Sequence, residues 1–247
     1  MTLSSNKQQT NFPDNVQVVS TMRYLDNPHE NLSAENGYAD FNLATHVNDN
    51  AQVVAQNRQR LIQAFSLPNE PKWLEQTHSS ICLEASSAEC IGDAIITQEK
   101  GVVCAVLTAD CLPIFISNQH GTQVGVVHAG WKGVLNGVIE STIAKFNDTN
   151  LLAHFGPAIS QEAFAVGDEV YQQFSDKDIQ LKDAFIQKDD KHQLDIYQAA
   201  RIILKDLDVE SITGGDECTF KQKDKYFSYR RDGEKSGRMA HLIWIKS

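Results

Sequence analysis

The chain has 247 residues, 41% of them hydrophobic, and a formal net charge of -10. That length suits one large domain or two small ones with a core that needs no staples. The acidic balance, with no basic cluster, speaks against nucleic acid as a partner and points to a small molecule. The longest apolar run, Val102 to Leu107, falls far short of the roughly 20 residues a membrane span needs. The polar first twenty residues lack a signal-peptide core. Five scattered cysteines, Cys82, Cys90, Cys104, Cys111 and Cys218, form no CxxC pair, so neither a disulfide framework nor a zinc ribbon is expected, and a reducing cytoplasm is the expected home.

In chain order, residues 1 to about 15 are polar and expected to be a loosely ordered lead, with a single domain over 16–247. Asp49 opens a helix whose apolar stripe is Val53, Val54, Leu61, Ile62 and Phe65. One sheet is expected from Trp73 to Glu75, Ala94 to Thr97, Val102 to Leu107, Leu112 to Ile116 and Gln123 to Val127, all short runs between turn residues. A second helix follows at Gly133 with Leu135, Val138, Ile139, Thr142, Ile143 and Phe146 inward, and a third runs from Asp195 to Leu207. Ala240 to Ile245 closes the chain as a strand. Strands joined partly by hairpin-length turns, with helices between groups of them, predict an α+β domain with a mixed sheet packed by helices.

Three side chains stand out at the ends of these runs: His78 in Glu75-Gln-Thr-His-Ser-Ser80, Cys111 in Thr108-Ala-Asp-Cys-Leu-Pro113 and His128 in Val127-His-Ala-Gly-Trp-Lys132. Polar residues at strand ends can face a cleft. A His, Cys, His set with one position open has the composition of a catalytic zinc site. The same Cys111 and His128 equally suit a nucleophile with its base, without a metal. Asp93 and Asp110 are candidate proton carriers.

The segments Tyr38 to Asp49, Leu74-Glu-Gln-Thr-His78, Asp93-Ala-Ile-Ile-Thr97, Leu107 to Ile114, Val127 to Gly133, Gly156-Pro-Ala-Ile-Ser160 and Ser228 to Gly233 through Arg238 together resemble the YfiH-like family, the bacterial laccase-domain group. The resemblance implies a YfiH-like fold with His78, Cys111 and His128 as metal ligands. It departs from the family pattern at Ala44, Asn48 and Ser79, where glycine is usual. The implied activity is that of a zinc-dependent purine nucleoside phosphorylase acting on adenosine, inosine and methylthioadenosine with phosphate, with adenosine deaminase activity besides. Alternatives are a Cys/His hydrolase, a peptidoglycan-precursor editing factor, and a copper-dependent polyphenol oxidase. Zinc is favoured over copper because a laccase needs additional histidine-rich copper sites, and the eight histidines include no His-x-His pair. Phosphorolysis needs a cationic phosphate site, for which Arg231 in Tyr229-Arg-Arg-Asp-Gly233 is the first choice and Arg58 the second. Asn42 in Phe41-Asn-Leu43 is assigned a catalytic contact to base or sugar, its other reading being a turn cap.

Overall fold

The structure, a computed structural model, describes residues 10–25 and 37–247. Its elements begin with β1 (Val16–Ser20), α1 (Ala51–Ala64), β2 (Cys82–Glu84), β3 (Ala94–Thr97), β4 (Cys104–Thr108), β5 (Leu112–Asn118) and β6 (Val124–Ala129). They continue with α2 (Trp131–Asn136), α3 (Val138–Ile143), β7 (Leu151–Phe155), β8 (Ala165–Val166), α4 (Asp168–Lys177), β9 (Phe185–Lys188) and β10 (Lys191–Leu194). The chain then runs through α5 (Ile196–Asp206), β11 (Ser211–Gly214), α6 (Tyr229–Asp232) and β12 (Met239–Ile245).

Six strands form a sheet in the order β11-β7-β5-β6-β3-β2. Its four central strands are antiparallel, and β2 and β11 join the edges in parallel, so the sheet is mixed as predicted. A second sheet has the order β1-β12-β4, and a small one, β8-β10-β9, lies apart. Because side chains alternate across a strand, β5 sends Leu112, Ile114 and Ile116 into a core with Val138 and Ile139 of α3, Phe174 of α4 and Ile203 of α5. Its Phe115 turns the other way, with Val126 of β6, to meet Val106 and Ile243 of the three-stranded sheet. That sheet has its own outer face, where Leu107, Leu242 and Trp244 pack on Leu61 of α1 and on Phe41 and Leu43. The result is four layers, helix, sheet, sheet, helix.

The single sheet read from the sequence is therefore two. Val102 to Leu107 corresponds to β4, which pairs with β12 and not with its neighbours in the chain. Trp73 to Glu75 is no strand, and only isolated bridges at Lys72 and Glu75 hold that stretch. Helix α1 is capped by Asn50, whose side chain accepts from the N–H groups of Gln52 and Val53, one residue after the predicted Asp49. Val53 is 41% exposed and does not belong to the apolar stripe. The second helix is broken into α2 and α3 at Gly137, which takes φ 91, a backbone region that glycine enters without steric cost. Residues 1–9 of the expected loose lead lie outside the described residues. The remainder is tied down, since Phe12 is buried in the core between the sheets and Asn15 donates to the Gly121 carbonyl.

Candidate functional site

The site grows from the place where the chain changes sheets. β4 ends at Thr108 in the three-stranded sheet and β5 begins at Leu112 in the six-stranded one, leaving Ala109, Asp110 and Cys111 to make the passage. Asp110 does so at φ 87, a conformation costly to a residue with a Cβ. Three hydrogen bonds hold it there. Its carboxylate accepts from the Thr219 hydroxyl and from the Arg230 backbone N–H, both at 2.6 Å, and its carbonyl accepts from the N–H of Ile159. Asp110 is thus spent on pinning the turn that presents Cys111, which overturns its reading as a proton carrier. His128, near the end of β6, lies opposite Pro113 of β5. His78 approaches from the loop before β2, itself at φ 60.

Asp93, just before β3, ties these pieces together. Its fully buried carboxylate accepts from the backbone N–H groups of Thr77, His78 and Ser79, from the Ser79 hydroxyl, and from His128 Nδ1 at 2.8 Å. Burial pushes its pKa up, but the hydrogen bonds from His128 and Ser79 outweigh that and hold it at about 2. An acceptor so saturated does not shuttle protons, so the proton-carrier reading of Asp93 is also corrected. Its role is to orient. By accepting a hydrogen bond from His128 Nδ1–H it leaves the Nε2 lone pair for a ligand, the arrangement that typically backs a metal-bound histidine.

The nitrogen and sulfur atoms of His78, Cys111 and His128 all lie within 4.8 Å of one another, and this is the metal-capable group found among the described residues. Cys111 Sγ is 3.8 Å from His78 Nε2. A tetrahedral zinc with its usual bond lengths would set sulfur and nitrogen roughly 3.5 Å apart, so the set fits that ion with a slight contraction. Gly130 makes the space, because a Cβ there would lie 2.8 Å from His78 Cδ2 and 3.0 Å from Cys111 Sγ. The half-buried Cys111 thiol and the buried His128 imidazole polarise each other. Burial opposes charge on both, yet the neighbouring His128 brings Cys111 down to about 6, and Cys111 with Asp93 brings His128 up to about 9.

The three side chains open into a cavity of about 540 Å³, a size suited to a small organic molecule. Its apolar wall includes Ile159, Phe164, Ile196 and Tyr229, and His46, Lys132, Arg230 and Arg238 bring nitrogen donors. Arg231, the sequence's choice for phosphate, is not on that wall. Its guanidinium is consumed by the Asp232 carboxylate and the carbonyls of Thr219, Phe220 and Tyr226, so it staples a loop. Arg58 is also absent from the lining. It lies 4.2 Å over the Trp73 ring and donates to the Leu43 carbonyl. Asn42 is 1% exposed and equally committed, bonding to both backbone groups of Ala44, to Asp49 and to the Arg238 N–H. Its turn-capping reading holds and a catalytic contact does not. Sequence alone assigns to Gly130 only the role of a small residue allowing close backbone approach, and none to His46. The Ala-Gly after His128 was a signal for the first, and its motif neighbours in Tyr38 to Asp49 for the second.

Fold and site together define a class: α+β proteins of two stacked sheets with a His/Cys/His group able to hold a metal ion at the sheet junction, lining a cavity. The chain belongs to the family described as multi-copper polyphenol oxidoreductase laccase, which it matches over residues 29–246. It is 46% identical over 213 residues to purine nucleoside phosphorylase YfiH of Escherichia coli K12, covering 84% of this chain and 87% of that one. It is 40% identical over 243 residues to a purine nucleoside phosphorylase of Haemophilus influenzae, covering 96% and 97%. Among solved structures, protein NMB0706 of Neisseria meningitidis, a DUF152 protein, superposes with a TM-score of 0.88 at 37% identity over 98% of this chain and all of that one. No helix among the described residues is long and apolar enough to cross a membrane.

Proposed function

We propose that the chain is a zinc-dependent purine nucleoside phosphorylase that acts on adenosine, inosine and methylthioadenosine, and that the same site converts adenosine to inosine with water. The observation that carries this reading is the similarity, over 84–96% of the chain, to relatives named purine nucleoside phosphorylase. The cavity with its ligand set supports it independently. Zinc, when bound by His78, Cys111 and His128, supplies a Lewis acid and a water acidified toward neutral pH. Asp93 keeps His128 in the tautomer that offers Nε2. Phe164 and Tyr229 give the cavity aromatic surface suited to a flat base, and Ile159 and Ile196 keep water from its sides. The cations of the wall suit a phosphate attacking C1′ of the ribose as the C1′–N9 bond to the base breaks. Copper chemistry has less support, because one ion site does not make the additional cluster a laccase uses to reduce oxygen. A cytoplasmic home accords with five unpaired cysteines.

The test is product analysis on zinc-loaded protein. Adenosine should give adenine and ribose 1-phosphate only when phosphate is added, and inosine without it. Failure to form either product would overturn the proposal. A second reading is favoured by the lowered Cys111 and raised His128, which describe a thiolate beside an imidazolium, as in a cysteine hydrolase. His78→Ala separates the two. Removal of a third ligand should abolish zinc binding and turnover, whereas a metal-free nucleophilic pair would keep its activity.

A further inference from the structure

Three arginines follow one another in this part of the chain, and their hydrogen bonds differ in a way that sequence does not show. Arg230 donates through Nη1 to the Ala163 carbonyl and through Nη2 to that of Ala165, so the outer edge of its guanidinium is used. Arg231 has every nitrogen engaged. Arg238 folds back on its own backbone, with Nη1 donating to the carbonyls of Ser236 and Gly237. Its Nε and Nη2 have no protein acceptor among the described residues. Those two nitrogens form the side edge of the guanidinium, whose parallel N–H groups match two oxygens of a phosphate or carboxylate.

This edge is held in advance. The Arg238 N–H is bonded to Asn42 Oδ1 at 3.0 Å, and the Gly237 N–H to the Gly37 carbonyl at 3.1 Å. Gly237 admits no side chain, because a Cβ would meet the Phe227 ring at 2.7 Å. The guanidinium also stacks 5.7 Å from the Tyr229 ring centroid, and the side chain lines the same cavity as the ligand set. Arg238 shares that cavity wall with Cys111, His78 and His128. An oxyanion docked on that edge would share the cavity with the His78, Cys111 and His128 group and with the Tyr229 ring. Fixing the receptor groups before binding spares the ordering cost that weakens most anion sites.

We propose that Arg238 is the residue that receives the phosphate co-substrate, through its Nε and Nη2, with Asn42 as its positioning residue. This rests on the phosphorylase reading for its meaning, but its test does not. Zinc-loaded protein without nucleoside is titrated with inorganic phosphate, followed by broadening of the phosphorus-31 resonance, and in parallel with adenosine 5′-monophosphate. The wild type should bind inorganic phosphate. Arg238→Ala should weaken it at least about tenfold, and Arg238→Lys, which keeps the charge and loses the fork, should recover only part. Zinc content and melting temperature are measured on each variant, and should Arg238→Ala fail to fold, the lysine variant carries the comparison. In turnover, the phosphate KM should rise in both variants while the adenosine KM stays within about threefold. Phosphate binding that survives Arg238→Ala, or that is lost on Lys132→Ala instead, overturns the assignment while leaving phosphorolysis standing. Arg238-dependent phosphate binding without any phosphorolysis would sustain the anion site and overturn the reaction. Binding of the nucleotide alone would overturn the assignment to free phosphate.

Discussion

Gly130→Ala tests the metal centre without touching a ligand. The backbone there has φ -66 and ψ 158, which alanine adopts without strain, and the loss of glycine from a helix N-cap costs at most about 1 kcal/mol. The new methyl carbon, however, would stand 2.8 Å from His78 Cδ2, 3.0 Å from Cys111 Sγ and 3.3 Å from His78 Nε2. Ordinary carbon contacts begin at about 3.5 Å, so one ligand must retreat by roughly 0.7 Å, several times the ±0.2 Å that metal–ligand distances tolerate. His78 is the exposed member of the set and the one that can yield. Losing its good geometry should lower zinc affinity about 100-fold, close to 2.8 kcal/mol. Competition against a chromophoric chelator at neutral pH gives the affinity, and a thermal melt of the metal-free protein checks the fold. A variant that folds normally and holds zinc within threefold of wild type would refute the crowding argument and the placement of the three ligands on which it rests.

Asp93→Asn should weaken zinc about 10- to 100-fold and cost the metal-free protein about 1–3 kcal/mol in urea unfolding, because an amide nitrogen would face buried N–H donors; unchanged metal affinity would sink the orienting role. Arg231→Ala should leave zinc content and phosphate binding unaltered and lower stability by about 1–3 kcal/mol, since three backbone carbonyls lose their donor; a selective rise in the phosphate KM would restore the role expected from sequence. Stability should also fall with acid through His154, whose burial lowers its pKa from 6.5 to about 4. The folded state disfavours the protonated ring, so this contribution is complete above pH 6.5 and disappears as pH falls toward 4. At about 1.4 kcal/mol per unit the full loss is roughly 3.5 kcal/mol, and His154→Gln should flatten urea stability between pH 6.5 and 5, an unaltered slope counting against the assignment. His241, also lowered by burial, to about 3, should show the same sign.

What the sequence disclosed was chemistry carried by residue type and spacing. Cysteine and histidine at strand ends marked the three side chains that the fold brings together, and the helical stripe of α5 was readable because Asp195 caps it and Ala199, Ala200, Ile203 and Leu204 recur at helical intervals. What it concealed was direction. Arg230 and Arg231 are adjacent on α6, so their side chains leave the helix at different angles, one toward the cavity wall and the other into a loop. The change of sheet at Asp110 was hidden because β4 and β5 read as runs of one sheet, whereas the φ of 87 and the long-range hydrogen bonds of Asp110 mark the passage between two. β8, β9 and β10 escaped notice, being only two to four residues long and without an alternating apolar pattern.

The placement of β12 in the middle of the three-stranded sheet orders events in time. The strands β5 and β6 pair across a tight turn, and β3 joins β6 from nearby in the chain, so little loop entropy opposes them. β12 must find β1 and β4 from a remote stretch of sequence, and such distant pairings are the slow ones. His78, Cys111 and His128 all belong to the early group, whereas Arg238 arrives with β12. A refolding chain is therefore expected to become competent for metal before it is competent for an anion, so that an ion captured early would wait in a half-walled site until the final strand encloses it.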